Sequence, residues 1–242
     1  MDSTFAQFLG EFIGTFILIL LGNGVVCAVT LKKTKAEGTG WVAVAFGWGL
    51  AVMLGAYVSS FLSEAHLNPA VTIGMALLGN LSWSLVLPYI IGQFLGAMLA
   101  SLVLWLFYYP HWEATKDSAT ILGCYSTAPA IKHTPSNFFG EIIGTMVLML
   151  LILAFGRNHI SSGMSPAIVG GLITSIGFSL GATTGYAINP ARDLGPRIMH
   201  AILPIKNKGN SGWGYAWIPV IGPILGSALG ALIFNFMIQF VK

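Results

Sequence analysis

Charge is what this sequence has least of. Asp, Glu, Lys and Arg together make up 8% of the 242 residues, against 55% hydrophobic, where a soluble domain carries roughly 25% charged residues. So few charges cannot clothe a surface that faces water, and an integral membrane protein is expected. Cysteine is nearly as scarce. Cys27, in an apolar segment, and Cys124, in a loop, offer no disulfide framework, no CxxC pair and no metal-ligand spacing. Basic residues do not cluster beyond Lys32, Lys33 and Lys35, so the net charge of +3 carries no signature of nucleic-acid binding. No nucleotide or other cofactor motif is found, and no cofactor is expected. The first apolar run, from Phe5 to about Thr30, lacks a basic start, carries Glu11 and is too long for a signal-peptide core. It reads as a retained membrane helix.

Apolar length is what the sequence does have. About 20 apolar residues cross a hydrocarbon core, and six segments qualify: about 5–30, 41–62, 84–107, 137–156, 165–183 and 215–240. Two further apolar pieces, 69–79 and 190–201, are too short. At 1.5 Å per residue each would reach roughly 15–18 Å, about half a bilayer. Both begin at the same tripeptide, Asn68-Pro69-Ala70 and Asn189-Pro190-Ala191. Asparagine is a good N-cap and proline costs no hydrogen bond at the first helical position, so each tripeptide starts a half-helix.

The tripeptides belong to a longer repeat. Phe8-Leu9-Gly10-Glu11-Phe12-Ile13-Gly14-Thr15 returns as Phe138-Phe139-Gly140-Glu141-Ile142-Ile143-Gly144-Thr145. One domain, 1–242, therefore divides into a first repeat 1–107, a connecting loop 108–136 and a second repeat 137–242. Each repeat reads helix, helix, half-helix, helix. An odd number of spans per repeat makes the second enter the membrane from the opposite side, so the half-helices dip in from opposite faces and meet near the midplane. Non-helical backbone at that depth is tolerated only where it is buried or lines water. A polar path through the protein follows.

These residues resemble the major intrinsic proteins, the aquaporins and glycerol facilitators, over nearly the whole chain. The likeness rests on the Gly-Glu-x-x-Gly-Thr helix starts, on Ala65-His66-Leu67-Asn68-Pro69-Ala70-Val71-Thr72, and on Gly185-Tyr186-Ala187-Ile188-Asn189-Pro190-Ala191-Arg192-Asp193. It leans to the bacterial glycerol-facilitator branch, as do Asp193 after Arg192 and Pro219-Val220 in the last helix. The resemblance implies an all-α membrane fold, a right-handed bundle of six transmembrane helices plus two re-entrant half-helices. It also implies a homotetramer in the cell membrane with both termini cytoplasmic, although the lysine count between spans alone would favour the reverse orientation.

The resemblance further implies a passive, non-enzymatic channel for glycerol, other small uncharged solutes and water. Asn68 and Asn189 would donate to a passing oxygen at the midplane, and Trp48, Gly177, Tyr186 and Arg192 would form the narrow filter. Gly177 would widen that filter, because the water-selective branch usually carries histidine there. Glu11 and Glu141 would accept backbone N–H groups of the two re-entrant loops, and Asp193 would fix a loop. Glu64, Ala65, His66, Leu67, Gly185, Ala187 and Ile188 would line the path or support it, His66 as a lone histidine rather than a metal ligand.

Two positions depart from the family pattern. Tyr186 stands for the usual phenylalanine and adds a hydroxyl near the filter. Glu64 stands for the usual glycine, which predicts a strained backbone at Glu64 and a titratable carboxylate at the mouth that tunes passage of weak acids. A water-selective channel is the main alternative, or a facilitator for protonated lactic acid, dihydroxyacetone, urea or hydrogen peroxide. An ion-coupled transporter would need charged pairs within the spans, and an intramembrane enzyme would need a nucleophile beside His66; neither is found.

Overall fold

The apolar segments fold as helices joined by short connections, in a computed structural model that describes residues 3–241. Met1, Asp2 and the terminal charge Lys242 lie outside the described residues. In chain order the helices are α1 (Thr4–Thr30), α2 (Trp41–Ser59), α3 (Pro69–Leu77), α4 (Trp83–Phe107), α5 (Tyr109–Ala114), α6 (Ser118–Gly123), α7 (Thr134–Phe155), α8 (Ser165–Ser179), α9 (Pro190–Ile202) and α10 (Ile218–Ile238). Among the described residues there is no strand. Helices α1, α2, α4, α7 and α10 are long and apolar enough to cross a membrane.

The expected span 165–183 is shorter than read. Helix α8 has 15 residues, about 22 Å at 1.5 Å per residue. It stops at Ser179 because the next residues turn towards the second re-entrant loop, where Thr184 donates to Glu141 (2.8 Å). The span 41–62 likewise ends at Ser59, where Ser60 and Phe61 turn towards the first such loop. The connection 108–136 is not all loop: it holds α5, α6 and the first turn of α7. Asp117 caps α6 by accepting from Ala119 and Thr120, and its carboxyl is held below its ordinary range first by the Thr120 hydroxyl and then by those amides.

Pairing in the bundle follows the internal repeat. Helix α1 packs on α4 and α7 on α10, while each half-helix packs on the last helix of the other repeat, α3 on α10 and α9 on α4. The repeats are therefore interlocked rather than side by side. Close approach needs glycine at matched places: a Cβ at Gly96 would run into the backbone of α1 at Phe12, and one at Gly226 into that of α7 at Ile142. Small residues at helix contacts are the usual membrane solution, since lipid supplies no hydrophobic push between helices.

Candidate functional site: a pore between two re-entrant loops

Two buried carboxylates shape the loops that precede the half-helices. Glu11, fully buried on α1, accepts from the backbone N–H of His66 (2.9 Å) and Leu67 (2.7 Å). It also accepts from Ser63 Oγ and Gln93 Nε2. Glu141, equally buried on α7, accepts from the N–H of Ala187 (3.1 Å) and Ile188 (2.8 Å) and from Thr184 Oγ1. A buried carboxylate is costly unless its oxygens are satisfied, and here the loop amides satisfy them. With those N–H groups turned to the carboxylates, the loop backbone offers carbonyl oxygens as its remaining polar groups.

The turns needed for this are tight. Ala65 (φ 52°), Leu67 (φ 51°), Tyr186 (φ 36°) and Ile188 (φ 43°) are all in the left-handed region, a placement non-glycine residues seldom take. Glu64 is not among them, which corrects the strain expected there. The left-handed turns fall on Ala65 and Leu67 instead, so glycine is not required at 64. Its counterpart Gly185 does use the freedom, with φ 84°.

The asparagines meet across the midline. Asn68 Oδ1 accepts from Ala70 N (2.9 Å) and Asn189 Oδ1 from Ala191 N (3.0 Å), capping α3 and α9. Asn68 Nδ2 donates to Ile188 O (2.8 Å), and Asn189 Nδ2 donates to Leu67 O (2.7 Å). Each loop is thus pinned by the other's asparagine. A carboxamide nitrogen carries two hydrogens, so one on each side is left for the pore. The N-termini of α3 and α9, with their partial positive charge, converge on the same place.

A cavity of about 510 Å³ runs past both asparagines. One end is lined by Tyr57, Ser60, Glu64 and Gly156, on the side where α1 begins, and the far end by Trp48, Tyr186 and Arg192. Ala65, His66, Leu67, Ala187 and Ile188 line it between. At the far end the Arg192 guanidinium lies 3.9 Å over the Trp48 ring, a cation–π arrangement. Arg192 Nη1 donates to Asn23 Oδ1 (3.3 Å), and Asn23 Nδ2 donates to Tyr125 O (3.1 Å). Asp193 does not line the cavity. It is buried and accepts from Thr127 N and Oγ1, both at 2.7 Å.

Gly177 is part of this end in a different way from that expected. A Cβ there would sit 2.8 Å from Tyr186 Oη and 3.0 Å from Cζ. The space that glycine frees is therefore filled by the Tyr186 ring rather than added to the lumen. Trp41 completes that wall, donating from Nε1 to Gly177 O (2.9 Å) with its ring edge-on to Tyr186 at 5.9 Å.

A sequence model of the family described as Major intrinsic protein matches residues 2–234. The chain belongs to the major intrinsic protein family. Among members, it is 58% identical over 234 residues to Glycerol uptake facilitator protein 3 of Lactiplantibacillus plantarum, covering 97% of this chain and 98% of that one. It is 54% identical over 228 residues to the Glycerol uptake facilitator protein of Bacillus subtilis, covering 94% and 83%. Among solved structures it is similar to the aquaglyceroporin from Plasmodium falciparum, at 30% identity and a TM-score of 0.82, covering 98% and 97%.

Several residues of this major intrinsic protein escape a reading of the sequence. Trp41, Asn23, Gln93, Thr127 and Arg197 all brace the pore, and none lies in the repeated motifs. Asn23 and Gln93 did leave a signal: each is a lone polar side chain inside a long apolar run, where an unpartnered amide is costly. Asn23 is fully buried and ties Arg192 to the loop at Tyr125. Replacing it by leucine removes a hydrogen bond to a charged group, worth about 1.5–3 kcal/mol. The expected result is protein that still assembles but in which Arg192 leaves the Trp48 face, so the glycerol-to-water permeability ratio shifts severalfold in stopped-flow light scattering. An unchanged ratio would show that Trp48 alone holds the guanidinium.

Proposed function

We propose that this protein is a passive channel for glycerol and other small uncharged solutes, conducting water with them and excluding ions and protons. The observation that carries the reading is the continuous cavity, from an open mouth, past two crossed asparagines, to Arg192 stacked on Trp48. The chemistry of that path is amphipathic. Carbonyls and asparagine amides follow one side, while Leu18, Val52, Leu148 and Ile173 present hydrocarbon on the others. A polyol presents CH groups to the apolar walls and hydroxyls to the polar stripe. Two half-helix N-termini at the asparagines and a buried guanidinium at the far end repel cations at successive points along the path. Each asparagine amide donates to a passing oxygen, which breaks the donor–acceptor order that proton hopping requires.

The names of the relatives support glycerol as a solute. We further place the protein in the cell membrane as a homotetramer with one pore per subunit and both termini cytoplasmic, in keeping with the family. In that orientation the mouth at Glu64 opens to the cytoplasm and the Arg192 filter faces outward.

One observation favours a second reading, a water-selective channel: the Tyr186 ring fills the space beside Gly177. Stopped-flow light scattering on proteoliposomes separates the two. Fast glycerol flux, linear in the gradient, is expected of wild type. Arg192→Ala is expected to keep water flux and to admit monovalent cations, read as a conductance in planar bilayers. Fast water without glycerol would establish the water-selective reading, and a saturating flux would replace both with a carrier.

A further inference from the structure

We propose that Glu64 and His66 form a binding site for a divalent first-row transition metal at the mouth, and that an ion held there obstructs the cavity. Glu64 Oε2 lies 3.3 Å from His66 Nε2. Two ligands each about 2.0–2.1 Å from one tetrahedral ion stand about 3.3–3.4 Å apart, so this pair already has the spacing a metal imposes. His66 is not alone, as the sequence suggests, because the turn at Ala65 brings the carboxylate two residues earlier up to its Nε2.

The hydrogen bonds around His66 decide which nitrogen is bare. Thr72 Oγ1 donates its one proton to Asn68 O (3.0 Å) and accepts from Gln93 Nε2 (3.0 Å). Its 3.3 Å contact with His66 Nδ1 must then be a second bond accepted, so Nδ1 carries the proton. A neutral imidazole with its proton on Nδ1 has its lone pair on Nε2. Apart from Glu64 Oε2, nothing among the described residues faces that Nε2: it is buried with no hydrogen bond, in a side chain 4% exposed.

The ring is also held in place. His66 N is bonded to Glu11, and the ring packs on Tyr89 at 5.2 Å between centroids. A histidine braced through its far nitrogen is the arrangement metal sites use to orient a ligand and raise its basicity. The Glu64 side chain is 46% exposed and can swing to admit an ion.

Both residues line the cavity. Among the described residues no group of three His, Cys, Asp or Glu converges to hold a metal, so water completes the coordination and binding is reversible. One nitrogen and one carboxylate oxygen select Cu2+, then Zn2+ and Ni2+. Mg2+ and Ca2+, which want six or more oxygens, find too few.

The test uses Cu2+ on the purified full-length protein, with two independent readouts. Pulsed EPR is expected to show an imidazole nitrogen coupled to copper in wild type, reduced by one site in His66→Ala and in the milder His66→Gln. Glycerol flux in proteoliposomes is expected to fall with Cu2+ added on the mouth side and to be unmoved by millimolar Mg2+. The concentration for half-block should rise at least about tenfold in Glu64→Gln, a loss of the size seen when a metal site is disturbed. His159→Ala, which removes an exposed histidine on the loop before α8, should block as wild type does. EPR identical in wild type and both His66 variants, or block that follows His159, overturns the site. An EPR difference without block overturns the obstruction. The obstruction rests on the channel reading; the EPR arm does not, so a protein that conducts nothing would sink that reading and leave the metal site decided.

Discussion

Arg197→Leu is expected to yield little or no folded protein, the largest single-residue effect on stability in this chain. Arg197 is fully buried on α9 and spends all five of its N–H donors. Nε and Nη2 donate to Asp193 (2.8 and 3.0 Å), Nη2 to Thr127 O (2.8 Å), and Nη1 to Ser211 O (2.8 Å) and Gly212 O (3.2 Å). Three chain segments, before α7, within α9 and before α10, are fastened by this one guanidinium. Leucine would leave Asp193 charged and uncompensated in the interior, at about 3–5 kcal/mol. Lysine should not rescue it, because a single ammonium cannot reach acceptors arranged around a planar fork. Replacing both Arg197 and Asp193 by leucine should recover part of the loss, since removing a buried pair together costs less than orphaning one partner. Thermal denaturation of detergent-purified protein, followed by size-exclusion chromatography, reads all three. Arg197→Leu with a wild-type midpoint would mean that the surrounding loops hold α9 unaided.

A second large effect is expected at Gly177. Alanine there places a Cβ 2.8 Å from Tyr186 Oη and 3.1 Å from Ala45 Cβ, so the Tyr186 ring must move. The wall behind it, with Trp41 edge-on, leaves the lumen as the way out. Overpacking of this kind costs typically 1–3 kcal/mol, and a barrier raised by 1.4 kcal/mol slows passage about tenfold. Glycerol flux through Gly177→Ala should fall by about that factor or more, with water flux reduced less because water is smaller. Tyr186→Phe removes the hydroxyl, which is buried without a hydrogen-bond partner, and should restore much of the glycerol flux in the double variant. A double variant no faster than Gly177→Ala would show that the ring carbon at 3.0 Å, not the hydroxyl, sets the limit.

The half-helices and the asparagines that start them were legible because the signal is local and occurs twice. Glu11 and Glu141 were legible for the same reason; the cost of burying a carboxylate calls for partners, and the family resemblance pointed to the loop amides. What sequence could not reveal depends on distant pairing. Asn23 and Arg192 are 169 positions apart, and Thr127 and Asp193 are 66 apart, with no shared motif to join them. The far end of the cavity shows the limit most plainly. A missing side chain at Gly177 reads as space until the neighbouring ring is seen to occupy it. Helices α5 and α6, six residues each, are too short to display a helical period and were hidden among polar loop residues. The strain expected at Glu64 was one residue out, because which loop position turns left-handed is set by where Glu11 and Asn68 anchor the chain.

The crossed asparagine bonds bear on how the protein is made. Asn68 waits for Ile188 O and Leu67 O waits for Asn189, partners 120 and 122 residues away along the chain. At a synthesis rate of about 5–20 residues per second, the first loop emerges several seconds before the second loop's asparagine can pin it, with Glu11 of its own half to hold it. During that interval Leu67 O lacks the partner it has in the folded protein. The crossed bonds of the amino-terminal half are thus completed only once the carboxy-terminal loop has been made.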